Sequence, residues 1–159
     1  MNWILDGYNI ILSDEKLARI ARRNLEAARN ELANELSLAA KPPNDSHLLV
    51  FDGRADGSAK DSLRNLEIRF TNSGESADDF IKNIIGGYRK RGAIRTVSND
   101  LSIINYTREC GAVPVSTAEF LRLIRMRSNR RNDEETSSEK PQSISKSDLD
   151  LLELFKGEK

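Results

Sequence analysis

The chain has a single cysteine, Cys110, and therefore no internal disulfide, and a single histidine, His47, so it lacks the ligands of an ordinary zinc site. With a lone thiol and no signal-peptide pattern at its start, the expected environment is a reducing cytoplasm. No apolar run is long enough to cross a bilayer. Neither charge is in excess: 25 Lys and Arg stand against 25 Asp and Glu, a formal net charge of zero. Composition alone does not mark a nucleic-acid binder, and any electrostatic footprint must come from where the charges lie. Internal repeats and coiled-coil heptads are also missing. At 159 residues the simplest organisation is one domain with a tail, large enough to bury a core without disulfides or a structural metal.

What the chain does have is a regular alternation of short apolar runs with helical patterns. Trp3-Ile4-Leu5 reads as a buried strand ending at the turn Asp6-Gly7, and Leu48-Leu49-Val50-Phe51 as a second ending the same way at Asp52-Gly53. Between them, Leu17, Ile20, Ala21, Leu25, Ala28, Leu32 and Leu36 predict one long amphipathic helix capped at Ser13 and stopped by Pro42-Pro43. Leu66 to Thr71 alternates and is expected at a sheet edge. A helix opens near Ser76, carries Ala77, Phe80, Ile81, Ile84 and Ile85 on one face, and ends by Gly92. Strands are expected at Ile94–Val97 and Ala112–Val115, around a helix from Leu101 to Cys110 stopped by Gly111. Ser116-Thr117-Ala118-Glu119 has the spacing of a capping box and opens a last helix.

This order predicts a three-layer α/β fold with a mostly parallel central sheet of about five strands flanked by helices, spanning residues 1–127. Arg122, Arg125, Arg127, Arg130 and Arg131 crowd the end of that body, followed by Asp133, Glu134, Glu135 and Glu139. Residues 128–146 have no apolar periodicity and are expected to form a disordered charged linker. Residues 147–159 read as a short amphipathic segment built on Leu149, Leu151, Leu152, Leu154 and Phe155.

Ligands of open α/β sheets bind beyond the carboxyl ends of the strands. This chain puts its aspartates there: Asp6 after the first strand, Asp52 after the second, Asp100 after the fourth, and Asp78 in the first turn of the helix leading into the fourth. Aspartate is common at turns and N-caps, so each alone says little. Four together imply a bound divalent cation, because gathered carboxylates repel one another and lose hydration. At about 100° per residue Asp78 borders the apolar face of its helix and Asp79 points away, so Asp78 is the better ligand. Asn9, in the first loop, can accept from a backbone donor, orient Asp6 or contact a phosphate. His47 is expected at the entry to the second strand and takes no catalytic role.

Asp6-Gly7-Tyr8-Asn9-Ile10-Ile11, Phe51-Asp52, Glu75-Ser76-Ala77-Asp78 and Ser98-Asn99-Asp100, in that order, resemble the NYN-domain nucleases of the YacP-like group, relatives of PIN domains. The resemblance runs from about Asn2 to Arg127 and leaves the leucine-rich C-terminal segment outside it. It implies that Asp6, Asp78 and Asp100 bind the metal, with Asn9 beside them and Asp52 as an auxiliary acid. Asp79 stands where a small polar residue is expected, and Ser98-Asn99 where Thr-Ser is more usual.

What the resemblance implies is a ribonuclease, endonucleolytic in mode, that uses Mg²⁺ or Mn²⁺ to activate water and stabilise charge on the scissile phosphate. Arg54, Lys60, Arg64 and the run Arg89-Lys90-Arg91 are the candidates for RNA phosphates, and Tyr8 for stacking on a base. Two other readings stay open. One is a non-catalytic RNA-binding or adaptor domain; the other, a haloacid-dehalogenase-like phosphatase, needs an acid where Tyr8 stands. The C-terminal segment is too short to be stable alone and is a candidate dock for a protein or ribonucleoprotein partner.

Overall fold

The computed structural model describes residues 2–39, 45–53 and 65–136. Five parallel strands, β1 (Asn2–Asp6), β2 (Ser46–Phe51), β3 (Leu66–Phe70), β4 (Ile94–Val97) and β5 (Val113–Val115), lie in the order β3-β2-β1-β4-β5. The helices are α1 (Gly7–Ser13), α2 (Glu15–Ala21), α3 (Leu25–Ala39), α4 (Ala77–Gly87), α5 (Leu101–Glu109) and α6 (Thr117–Thr136). Both faces of the sheet are covered, which is why the central strands β1 and β2 carry continuous apolar runs rather than alternating. Trp3, Leu5, Leu49, Phe51, Val97 and Val115 pack under α1, α2, α3 and α6. Their sequence neighbours Ile4 and Val50 point the other way, toward Ile81, Ile85 and Ile103 of α4 and α5. The strand expected at an edge, β3, is at one.

The single long helix expected from Ser13 is two helices, α2 and α3, and a further helix, α1, forms over Gly7–Ser13 where a turn was expected. Each restarts at a residue whose side chain competes for backbone N–H groups: Asp6 caps α1, Asp14 accepts from Leu17 N–H at 3.0 Å, and Asn24 from Ala27 N–H at 3.0 Å. Apolar spacing runs on through these breaks because α1, α2 and α3 present their faces to one core, so periodicity alone could not reveal them. The cap of α2 is Asp14 rather than Ser13, whose hydroxyl instead donates to the carbonyl of Asn9. Helix α4 stops at Gly87, before the expected Gly92. The αL residue Gly111, φ 77°, follows α5 where a stop was expected.

The expected boundary at Arg127 also moves. Helix α6 continues to Thr136, so residues 128–136 are helical, not part of a disordered linker. The anchors here are polar: Arg125 donates to Asp14 at 2.7 and 3.1 Å and to Glu35 at 3.1 and 3.3 Å, and Arg131 to the Leu38 carbonyl at 2.8 Å. Arg127 forms a buried pair with Asp45 at 2.9 Å. Contacts of this kind leave no hydrophobic period to read. Residues 137–159, which include the expected amphipathic segment, lie outside the described residues. No helix among the described residues is long and apolar enough to cross a membrane.

Candidate active site

Strand order reverses between β1 and β4: from β1 the chain moves outward through β2 to β3, then returns to place β4 on the other side of β1. Loops leaving such neighbours in opposite directions open a crevice at their carboxyl ends. Asp6 ends β1, and Ser98-Asn99-Asp100 leaves β4 beside it, since Leu5 registers with Val97.

Asp6 is held from two sides. Its Oδ2 accepts from the Ser98 hydroxyl at 3.0 Å, and its Oδ1 from the Asn9 N–H at 3.4 Å. Burial pushes its carboxyl above the usual range against those hydrogen bonds, and the nearby charges of Asp100 and Asp78 push it further. Ser98, buried, also accepts from the Asp100 N–H at 3.1 Å, so one hydroxyl ties both acids together. Asp100 caps α5, accepting from Ser102 N–H at 2.8 Å. Asp78 lies across from it on α4: its Oδ2 accepts from Lys82 Nζ at 3.1 Å and lies 3.5 Å from the Ser102 hydroxyl. Its Oδ1 is buried and accepts no hydrogen bond. The structure therefore brings Asp6, Asp78 and Asp100 to one edge, linked through two serines and a lysine. Asp79 is exposed, and its N–H donates to Ser76 at 3.1 Å.

Of the three openings for Asn9, the structure takes the backbone donor. Its Oδ1 accepts from Asn99 N–H at 2.8 Å, while its own main chain, not its amide, serves Asp6. Asn99 completes the latch, donating to Thr117 Oγ1 at 2.7 Å and Ser13 Oγ at 3.3 Å and accepting from Thr117 N–H at 3.1 Å. The loop carrying Asp100 is thus fastened to α1 and α6. Gly7 is required between Asp6 and Tyr8, because a Cβ there would overlap the Phe51 ring.

Other expected residues are placed differently. Asp52 is exposed and accepts from the Thr71 hydroxyl at 3.0 Å, on the β3 side, with no hydrogen bond to the other acids among the described residues. Tyr8 is half-buried, its ring 5.0 Å from that of Phe51 and its hydroxyl accepting from Arg29 at 3.3 Å. Arg29 in turn lies over Phe70, 5.3 Å from the ring centre. The run Arg89-Lys90-Arg91 is exposed and lies away from the three acids. It precedes β4, and the 11-residue helix α4, about 16 Å long, separates it from Asp78. Arg91 also donates to the Gly86 carbonyl at 3.0 Å. Arg54, Lys60 and Arg64 lie outside the described residues. Lys82, Ser98, Ser102 and Thr117 received no role from sequence. Only Lys82 left a signal, its i,i+4 spacing from Asp78.

All ligand candidates are carboxylate oxygens, the donor type that suits hard cations such as Mg²⁺ and Mn²⁺. The buried, unbonded Asp78 Oδ1 and the repulsion felt by Asp6 fit a cation between them. The carboxylates stand apart, however: no three His, Cys, Asp or Glu side chains among the described residues form a closed ligand group.

Two solved structures are similar to this chain. Rae1 (YacP) from Bacillus subtilis, as a tryptophan-to-leucine mutant, has 22% identity and a TM-score of 0.69 over 96% of this chain and 91% of its own. A second structure of Rae1 (YacP) from the same organism has 22% identity and a TM-score of 0.68 over 83% and 78%. At that identity they show the shared fold. No curated protein matches the chain. The sequence model of the YacP-like NYN domain matches residues 3–156, so the similarity runs past Arg127 through most of the C-terminal segment that the motifs alone left out. On the strength of that match over residues 3–156, the chain belongs to the YacP-like NYN domain family, a nuclease-like family.

Proposed function

We propose that this protein is a metal-dependent ribonuclease that hydrolyses RNA phosphodiester bonds within the chain. The observation that carries the reading is the link from Asp6 through Ser98 to Asp100, with Asp78 facing them through Ser102. Asp6, Asp78 and Asp100 would hold Mg²⁺ or Mn²⁺, and a bound ion would supply an activated water and charge stabilisation at the phosphate. Ser98 keeps the Asp6 carboxylate oriented by donating to it, and Asn9 and Asn99 hold the Asp100 loop in register with α1. Asp52, on the β3 side, is placed for a flanking contact rather than for the centre. Tyr8 and Arg29, beside Phe70, offer an aromatic and cationic ledge for a base or phosphate next to the acids. Membership of a nuclease-like family supports RNA as substrate, and a site open at a sheet edge, needing no chain end, supports internal cleavage.

The test is cleavage of a circular and a linear RNA by the full chain in Mg²⁺, Mn²⁺ or EDTA. Both substrates should be cut only with metal, and Asp6→Asn and Asp100→Asn should each lower the rate at least a hundredfold while keeping the parent's melting temperature within a few degrees. Cleavage of the linear RNA alone would refute the internal mode; RNA binding without cleavage would make the domain an adaptor. The C-terminal segment, Ser147 to Lys159, is proposed to dock a protein or ribonucleoprotein partner. Its deletion should leave cleavage of a short RNA and the melting temperature unchanged, and a large fall in melting temperature would instead assign its leucines to the core.

A further inference from the structure

Lys82 is the one cation hydrogen-bonded to the acids of the centre among the described residues, and neither the motifs nor the family match assigns it a part. It lies one turn beyond Asp78 on α4, with its side chain 24% exposed against 34% for Asp78. Its ammonium donates to Asp78 Oδ2 at 3.1 Å and also to the Ser102 hydroxyl on α5. Ser102 donates its own N–H to Asp100, the N-cap of α5. The ammonium therefore joins the start of α4, which carries Asp78, to the start of α5, which Asp100 caps. The two oxygens of Asp78 are divided: Oδ2 is taken by Lys82, and buried Oδ1 accepts nothing.

A single positive charge there does two things. Bonded to Asp78 and to Ser102 beside Asp100, it offsets part of the negative charge these acids bring to the crevice before an ion arrives. It also opposes a divalent ion entering the same space, because like charges a few ångströms apart in a half-buried site repel strongly.

Resting on the reading of the site as a metal centre, we propose that Lys82 is a positioning and charge-balancing residue that competes with the divalent ion for Asp78 and thereby weakens metal binding in the absence of RNA. A divalent ion held by Asp78 would compete with the ammonium for Oδ2, and the ammonium would then be free to meet a phosphodiester in the crevice. Removing the charge should make the empty site a better binder of metal, the opposite of what loss of a merely structural contact does.

The experiment is titration of the full chain with Mn²⁺ alone, without RNA, following free Mn²⁺ by electron paramagnetic resonance. Lys82→Gln, which keeps a hydrogen-bond donor and loses the charge, should bind Mn²⁺ at least fivefold more tightly than the parent. Lys82→Arg, which keeps the charge, should stay within twofold. Melting temperatures of both variants check that each is folded, and Lys82→Met gives a second neutral variant with the same expected direction. Equal or weaker binding by folded Lys82→Gln and Lys82→Met overturns the proposal while leaving the metal centre in place. If the parent shows no saturable site that Asp6→Asn removes, the metal reading itself fails, and the role of Lys82 with it.

Discussion

Asp78 and Asp79 adjoin in sequence, yet one helical step sends them to different surroundings. Asp78 meets Lys82 and the Ser102 hydroxyl, while Asp79 faces solvent. Asp78→Ala should therefore reduce metal-dependent cleavage far more than Asp79→Ala, by a hundredfold against less than threefold, measured as kcat/KM on one short RNA. Equal losses would undo the orientation. The 100° rotation per residue made this contrast legible from sequence. The role of Ser98 was not legible, because a serine before an N-cap aspartate has many uses, and its bond to Asp6 spans 92 residues of chain.

The helices around the sheet are joined by charge as well as by apolar contact. Arg125 of α6 reaches the cap residue of α2 and Glu35 of α3 at once, and its guanidinium holds the Asp14 carboxyl below the usual range. A carboxyl depressed in the folded state adds stability above its unfolded pKa of about 4, and that stability is lost as pH falls through the lower folded value. Arg125→Met should cost about 1 kcal/mol at pH 7, since the pair is partly exposed and screened. Urea unfolding should show the difference between parent and variant shrinking at pH 3, and a difference that persists there would assign the loss to packing. No helical wheel foretells such a link, because Asp14, Glu35 and Arg125 come from three separate elements.

At the opposite edge of the sheet, the whole molecule carries an acid-sensitive core. His47 enters β2 beside the rings of Trp3 and Phe120, with Asp45 and Arg127 near it, and burial lowers its pKa to about 4. The imidazole is thus neutral in the fold and charges on unfolding below its free value of about 6.5. Between those values the unfolded chain binds the extra proton, so stability rises with pH through the window and levels off above it. The fold should lose on the order of 3 kcal/mol to this group between pH 6.5 and 4. The fall in denaturation midpoint from pH 7 to pH 4.5 should be far smaller in His47→Leu than in the parent, and equal falls in both would acquit the histidine. What the sequence by itself determined was the layered α/β body and the strand ends at which Asp6, Asp52 and Asp100 stand, because strand and helix periods and turn residues are local properties. Tertiary structure decided the rest: that two capped helices replace one and another precedes them, that α6 runs on through polar anchors, that Arg89-Lys90-Arg91 lies a helix length from Asp78, that Asp52 turns to Thr71, and that Lys82 bonds to Asp78. Each depends on which distant segments the sheet order brings side by side, and no local pattern encodes that distance.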